Sequence, residues 1–275
     1  MSDTGVARVT IPALQAKKPA GEKSVCVVAW DFQMARIADR VGVDIVSVGD
    51  TVGVNLWGHD NPLAVTMEEM LVVARAVRRG VQRALVSVDF PFGPLQEGPA
   101  SAVSAAIRFA KEAGVDMVKL DGAADHPDAV EAVTKAGVPV FAQFGITPQT
   151  ALRYGVEYSA ASSAQVPEAM LEEMVAEAKR LESAGAVALN FTNSGPVVGA
   201  AVVESVTVPV LGGFGGGPWL DGRIRMATAA IGYSAAAVDQ EPDTYANVGR
   251  VAFDALSAYA DDVRAGRQIR GGIKT

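Results

Sequence analysis

The chain has 275 residues, a net charge of −7 and a single cysteine. That length suits one large α/β domain better than several small ones, and the acidic balance argues against a nucleic-acid surface, which needs clustered Lys and Arg. The lone Cys26, inside the apolar run VCVVAW, excludes an intrachain disulfide and points to a reducing, cytoplasmic setting, and no apolar run approaches the ~20 residues of a membrane span.

The first twenty residues lack the basic start and apolar centre of a secretion signal and read as an N-terminal arm, 1–20, mobile or packed on a neighbour. Beyond them, short runs rich in Val, Ile and Ala alternate with helical patterns. The strand candidates are 25–30, 44–49, 83–89, 116–120, 138–144, 186–191, 208–213 and, weakest, 229–233 in AAIGYS. Thr66, with Glu69 three residues on, forms a capping box opening a helix over 66–80. Helices over 99–114 and 167–185 begin at Pro and end at Gly. Ala113-Gly114, Ala136-Gly137 and Ala184-Gly185 each mark a helix stop before a strand. Residues 154–166 read as a surface or lid loop. Near-continuous apolar strands are buried on both faces, as in parallel sheets. About eight strand–helix units predict an α/β fold, a single-domain (β/α)8 TIM barrel over 21–260, followed by a polar tail, 261–275. A doubly wound sheet would place a dinucleotide fingerprint after the first strand, where Asp31-Phe32-Gln33 stands instead.

Three acids sit at the ends of successive strands: Asp50 in DIVSVGD (44–50), Asp89 in RALVSVDF (83–90) and Asp121 in DMVKLDG (116–122). Barrel strands point their C-terminal ends at the active site, so these carboxylates converge there, and a hard divalent cation such as Mg²⁺ suits them. Each Asp alone would serve equally well as a turn or helix cap. Lys119 precedes Asp121 by two residues and shares its face; inside an apolar strand it must find an anion, either a substrate carboxylate or a barrel acid. The Gly-rich turn 212–217 is suited to an anion or to close packing. Glu97 is a candidate base or a helix-terminal acid. His59 reads as a loop His or proton shuttle and His126 as a surface residue, and two His exclude a His-rich metal site.

The stretches VGDTVGVNLWGHDNPLAVTMEEM (48–70), VDFPFGPLQEGP (88–99), MVKLDGA (117–123) and FGITPQT (144–150) occur in order. Together they resemble the ketopantoate hydroxymethyltransferase (3-methyl-2-oxobutanoate hydroxymethyltransferase) family, a barrel family of the phosphoenolpyruvate mutase and isocitrate lyase superfamily. The resemblance implies Mg²⁺, an α-keto acid substrate, an enolate, and 5,10-methylenetetrahydrofolate as one-carbon donor. It also implies a homo-oligomer, with rings such as decamers; the lack of a spanning apolar run speaks against a membrane partner. Carried over, Asp50, Asp89 and Asp121 hold the metal, directly or through water, Asp121 standing where the family has a Glu. Asp50, Thr51, Asp89, Lys119 and Gln143 meet the substrate.

The departures are on the other half of the site. Where the family has a basic Glu on its sixth strand, this chain has Asn190 in VALNFTNSG, and an amide takes no proton at neutral pH. Gln143 stands for a family His, and the family's Arg after T-P-Q has no counterpart in YGVEYSAASSAQV. The expectation is a Mg²⁺-dependent hydroxymethyltransferase or aldolase-like enzyme acting beside an α-keto acid other than ketoisovalerate, with Asn190 orienting substrate or water. The alternatives are a lyase or mutase of the same superfamily, and a barrel without catalysis that binds ligand or serves assembly.

Overall fold

A computed structural model describes residues 7–158, 160 and 164–272. Eight parallel strands close in sequence order into a barrel, which is the architecture the alternation of apolar runs and helical patterns predicts. They are β1 (Ser24–Val28), β2 (Ile45–Val48), β3 (Leu85–Asp89), β4 (Met117–Leu120), β5 (Val140–Gly145), β6 (Ala188–Thr192), β7 (Val210–Gly212) and β8 (Gly222–Met226). The helices α1 (Ile11–Lys17), α2 (Phe32–Val41), α3 (Val52–Asn55), α4 (Met67–Gly80), α5 (Pro99–Arg108), α6 (Pro127–Lys135), α7 (Leu171–Ser183), α8 (Pro196–Ser205), α9 (Ala227–Ala230) and α10 (Val248–Arg264) complete the described elements. By internal contacts the chain divides into one compact unit, Met1–Ile224, and a second, Arg225–Thr275.

The local signals translate directly. The Thr66 hydroxyl accepts from the Glu69 N–H while Glu69 accepts from the Thr66 N–H, so both halves of the capping box of α4 form. Gly114, Gly137 and Gly185 adopt φ of 67°, 88° and 96°, the left-handed turn that ends a helix and that a side chain would strain. The predicted helix over 99–114 is α5 prolonged by a π-turn, Phe109–Ala113.

Two expectations are corrected. Residues 229–233 are not the last strand: Ala227–Ala230 is helical, and β8 runs earlier, over Gly222–Met226. The sequence GRIRM alternates buried and exposed positions, so its outward arginines disguise it as a loop, while the Ala-rich run 227–230 suits a helix as well as a strand. Of the N-terminal arm, 1–6 lie outside the described residues, and the rest packs on its own barrel. Thr10 caps α1, and Leu14 is fully buried, a contribution of about 2 kcal/mol. Lys17 pairs with Asp44 at 2.7 Å and Lys18 with Asp221 at 3.0 Å. Both acids precede strands, so α1 covers the N-terminal end of the barrel, opposite the strand ends that carry the acids of interest. The helix α10 extends to Arg264, into the stretch read as a tail. Of the expected lid loop, 159 and 161–163 lie outside the described residues, as do 273–275 of the tail.

The half-buried Glu177 on α7 gives a test of the helical layer. Burial first, then the neighbouring Glu173, pushes its carboxyl up to about 7 from an ordinary 4.5. A raised carboxyl favours the folded state while protonated. Its stabilisation is therefore complete below pH 4.5 and disappears as pH rises through about 7. Melting temperatures of the wild type should fall between pH 5 and 8 more than those of Glu177→Gln; parallel curves would show that the group does not titrate there.

Candidate active site

Strand ends bring the predicted acids together. Asp50 follows β2, Asp89 closes β3 and Asp121 follows β4, and all three are buried. The register places Asp89 beside Lys119. The Lys119 ammonium donates to Asp89 Oδ2 at 2.7 Å, with both side chains 8 % exposed. Ser47 also donates to Asp89, at 3.4 Å. Burial lowers the basicity of Lys119, but the pull of Asp89, and of Asp50 and Asp121 after it, outweighs that and leaves the ammonium held above its usual range. The neighbouring carboxylates thus favour the ammonium over the neutral amine that Schiff-base chemistry needs.

The other two acids are strained electrostatically. Burial, then the charges of Asp89 and Asp121, push Asp50 up to about 8, against the opposing pull of Gln149 and Lys119. Burial pushes Asp121 up to about 6, opposed by the Thr147 hydroxyl and Lys119. One buried cation among three buried carboxylates is short of positive charge, and such a site gains by binding more.

Polar neighbours fix the acids. Gln149 donates through Nε2 to Asp50 Oδ2 at 2.8 Å and to the Phe90 carbonyl at 3.0 Å, and through its backbone to Asp121 Oδ2 at 3.4 Å. Gln143 donates to Asp121 Oδ2 at 3.3 Å and to Thr192 Oγ1 at 3.1 Å. The Trp30 indole donates to the Gly49 carbonyl at 2.9 Å, holding the turn that delivers Asp50. Gln149, Thr147, Ser47 and Thr192 were not singled out from the sequence. Gln149 carried a signal, since it lies in the T-P-Q stretch; the small hydroxyls carried none.

The remaining candidates fall as follows. Thr51 starts α3, partly exposed, beside Asp50. Asn190 lies on β6 directly across from Gln143 on β5. Glu97 is not in the cluster: it is exposed and accepts at 2.8 Å from Ser101, which lies in the first turn of α5. His126 precedes α6, and His59 packs against Gly53 and the Trp57 ring. The Gly-rich turn packs closely: the Phe214 carbonyl accepts from Asn193 N at 2.7 Å, and a Cβ on Gly215 would come within 2.6 Å of the Asn193 Cα. Asn193 itself holds φ at 60°, its amide donating to the Ile146 carbonyl.

Mg²⁺ takes oxygen ligands and is typically held by one or two carboxylates, the rest being water and substrate oxygens. Among the described residues no three His, Cys, Asp or Glu side chains are spaced to hold an ion by themselves. Of the expected metal set, Asp50, Asp89 and Asp121, Asp89 gives its Oδ2 to Lys119. The residues still fit the ion. Asp121 Oδ1 is buried with no partner among the described residues, Asp50 lies within electrostatic reach of it, and both are hard oxygen donors.

A closed parallel barrel with acids and a lysine gathered at its C-terminal mouth defines the class: an α/β-barrel enzyme. The ketopantoate hydroxymethyltransferase family model matches residues 8–268. The chain is 38 % identical over 260 residues to the 3-methyl-2-oxobutanoate hydroxymethyltransferase of Salinibacter ruber, covering 94 % of this chain and 95 % of that one. It is 37 % identical to the same enzyme of a Cyanothece species, covering 93 % and 96 %. Among solved structures, phosphonopyruvate hydrolase in complex with oxalate and Mg²⁺ superposes with a TM-score of 0.60 at 16 % identity, covering 96 % and 91 %. The chain belongs to the ketopantoate hydroxymethyltransferase family, and it is an enzyme of that transferase kind. No helix among the described residues is long and apolar enough to cross a membrane.

Proposed function

We propose that the protein is a Mg²⁺-dependent hydroxymethyltransferase or aldolase-like enzyme that forms or cleaves a C–C bond beside an α-keto acid other than 3-methyl-2-oxobutanoate. The observation that carries this reading is the buried Lys119–Asp89 pair flanked by Asp50 and Asp121 at the barrel mouth. The solved phosphonopyruvate hydrolase holds Mg²⁺ and oxalate, a small 1,2-dioxygen ligand; a keto acid offers the same pair of oxygens.

Asp50, Asp89 and Asp121 would hold the ion, directly or through water. When bound, Mg²⁺ supplies positive charge that lowers the cost of building negative charge on the keto oxygen. Lys119, aimed by Asp89, receives the substrate carboxylate or keto oxygen as a fixed cation. Gln149 keeps the Asp50 carboxylate pointed, and Gln143 does the same for Asp121. Thr51 borders the carboxylate-binding side. Asn190 orients substrate or water, since it accepts no proton. Support for a changed substrate comes from amides at the two positions, 143 and 190, where the family has an imidazole and a carboxylate. The one-carbon donor is 5,10-methylenetetrahydrofolate or an aldehyde equivalent. The working form is a cytoplasmic homo-oligomer, a ring such as a decamer, without nucleic acid or membrane.

The test follows exchange of keto-acid β-protons with D₂O by NMR. Exchange should require Mg²⁺ and cease in a chelator. Exchange that continues undiminished in chelator contradicts the metal, and its absence with every keto acid at saturating Mg²⁺ favours a ligand-binding barrel.

A further inference from the structure

The barrel wall facing the acids is built of amides. Gln143 and Asn190 are register partners on β5 and β6, 3 % and 4 % exposed. Both sit on the inner face, because Gln143 reaches Asp121 and register partners on neighbouring strands share a face. On the outer face the next pair, Phe144 and Phe191, stacks at 4.5 Å with 11° between rings. Gly145 lets the strands approach, since a Cβ there would meet the Thr192 carbonyl at 2.5 Å. The two amides are therefore held side by side.

Their oxygens are unsatisfied. Gln143 Oε1 and Asn190 Oδ1 are buried with no partner among the described residues. The Gln143 orientation is set by chemistry: its NH₂ faces the Asp121 carboxylate, which only accepts, so its oxygen points away. A buried acceptor without a donor is costly, and a plain alkyl chain offers none.

Building on the keto-acid reading above, we propose that Gln143 and Asn190 form a donor-reading subsite. The preferred keto acid then carries a hydroxyl or ammonium group on the carbon chain beyond its keto carbon. The same two oxygens, with Asp121 nearby, repel a second carboxylate, so keto diacids are rejected.

Calorimetry and β-proton exchange with Mg²⁺ present compare matched pairs: 3-hydroxypyruvate against 2-oxobutanoate, and 4-hydroxy-2-oxobutanoate against 2-oxopentanoate. 4-Amino-2-oxobutanoate is the ammonium arm, and 2-oxoglutarate the excluded diacid. The donor-bearing member should bind at least about tenfold more tightly, and whichever of the hydroxyl and ammonium arms binds better names the group. Asn190→Leu removes an unpartnered polar atom, so it should melt no lower than wild type while shrinking the preference to about threefold or less. Gln143→Met should shrink the preference likewise, but it also removes the donor to Asp121 and Thr192 and should therefore melt lower than the wild type. Equal binding of the paired ligands by the wild type, tight binding of 2-oxoglutarate, or a preference that survives both variants overturns the subsite. In those cases exchange with the aliphatic acids leaves the keto-acid reading standing; silence with every compound overturns both.

Discussion

Asp50→Ala should exchange keto-acid β-protons at least about a hundredfold more slowly than the wild type and lose its response to Mg²⁺, because even residues that only orient metal ligands are worth 10–100-fold. Its fold should survive. Burial and two neighbouring carboxylates hold Asp50 in an unfavourable place, which is why its carboxyl is pushed up to about 8. Removing it relieves repulsion once Asp50 ionises, so above about pH 8 and without metal the variant should melt at or above the wild-type temperature. Gln149 keeps its second acceptor, the Phe90 carbonyl at 3.0 Å. A variant that retains Mg²⁺-dependent exchange refutes the role; one that loses activity only because it unfolds refutes the electrostatic account of Asp50.

Lys119→Met should have the opposite signature. It removes the cation that Asp89 contacts at 2.7 Å and that Asp50 and Asp121 also feel. Breaking a buried pair from one side costs about 3–5 kcal/mol, since the remaining charge is left uncompensated, which lowers the melting temperature by on the order of 10 °C. The deficit should grow with pH. Without Lys119 the buried carboxylates favour their protonated forms, and such groups lose stabilisation as pH rises through their raised values. Thermal melts from pH 5 to 8 check this. A uniform loss at all pH values would mean that Lys119 matters for packing rather than charge. Added Mg²⁺ should restore part of the loss in Lys119→Met and none in the double variant with Asp50→Ala.

The contrast between strand assignments shows which signals are readable along the chain. The seven apolar strands and α4 with its Thr66–Glu69 box announce themselves because each is coded by neighbours within a few residues. β8 escaped because GRIRM buries only alternate positions and because closure of a barrel, not local preference, demands an eighth strand there. Glu97 was a reasonable candidate from its place after β3, yet the chain turns and hands it to Ser101. Gln149 stood in a noticed stretch, but nothing in T-P-Q says that its amide bridges to Asp50, 99 positions away.

The amino-acid order, through periodicity, caps and four ordered stretches, was enough for the barrel, the family and the identity of the acids at strands two, three and four. Those features depend on spacing along the backbone, and spacing is what a sequence records. Which acid Lys119 engages, that Asp121 keeps an unpartnered oxygen, and that Gln143 and Asn190 stand side by side depend on register across the closed sheet. Register arises from long-range hydrogen bonding and packing, such as the Phe144–Phe191 stack behind the amides, and it exists only once the barrel has closed.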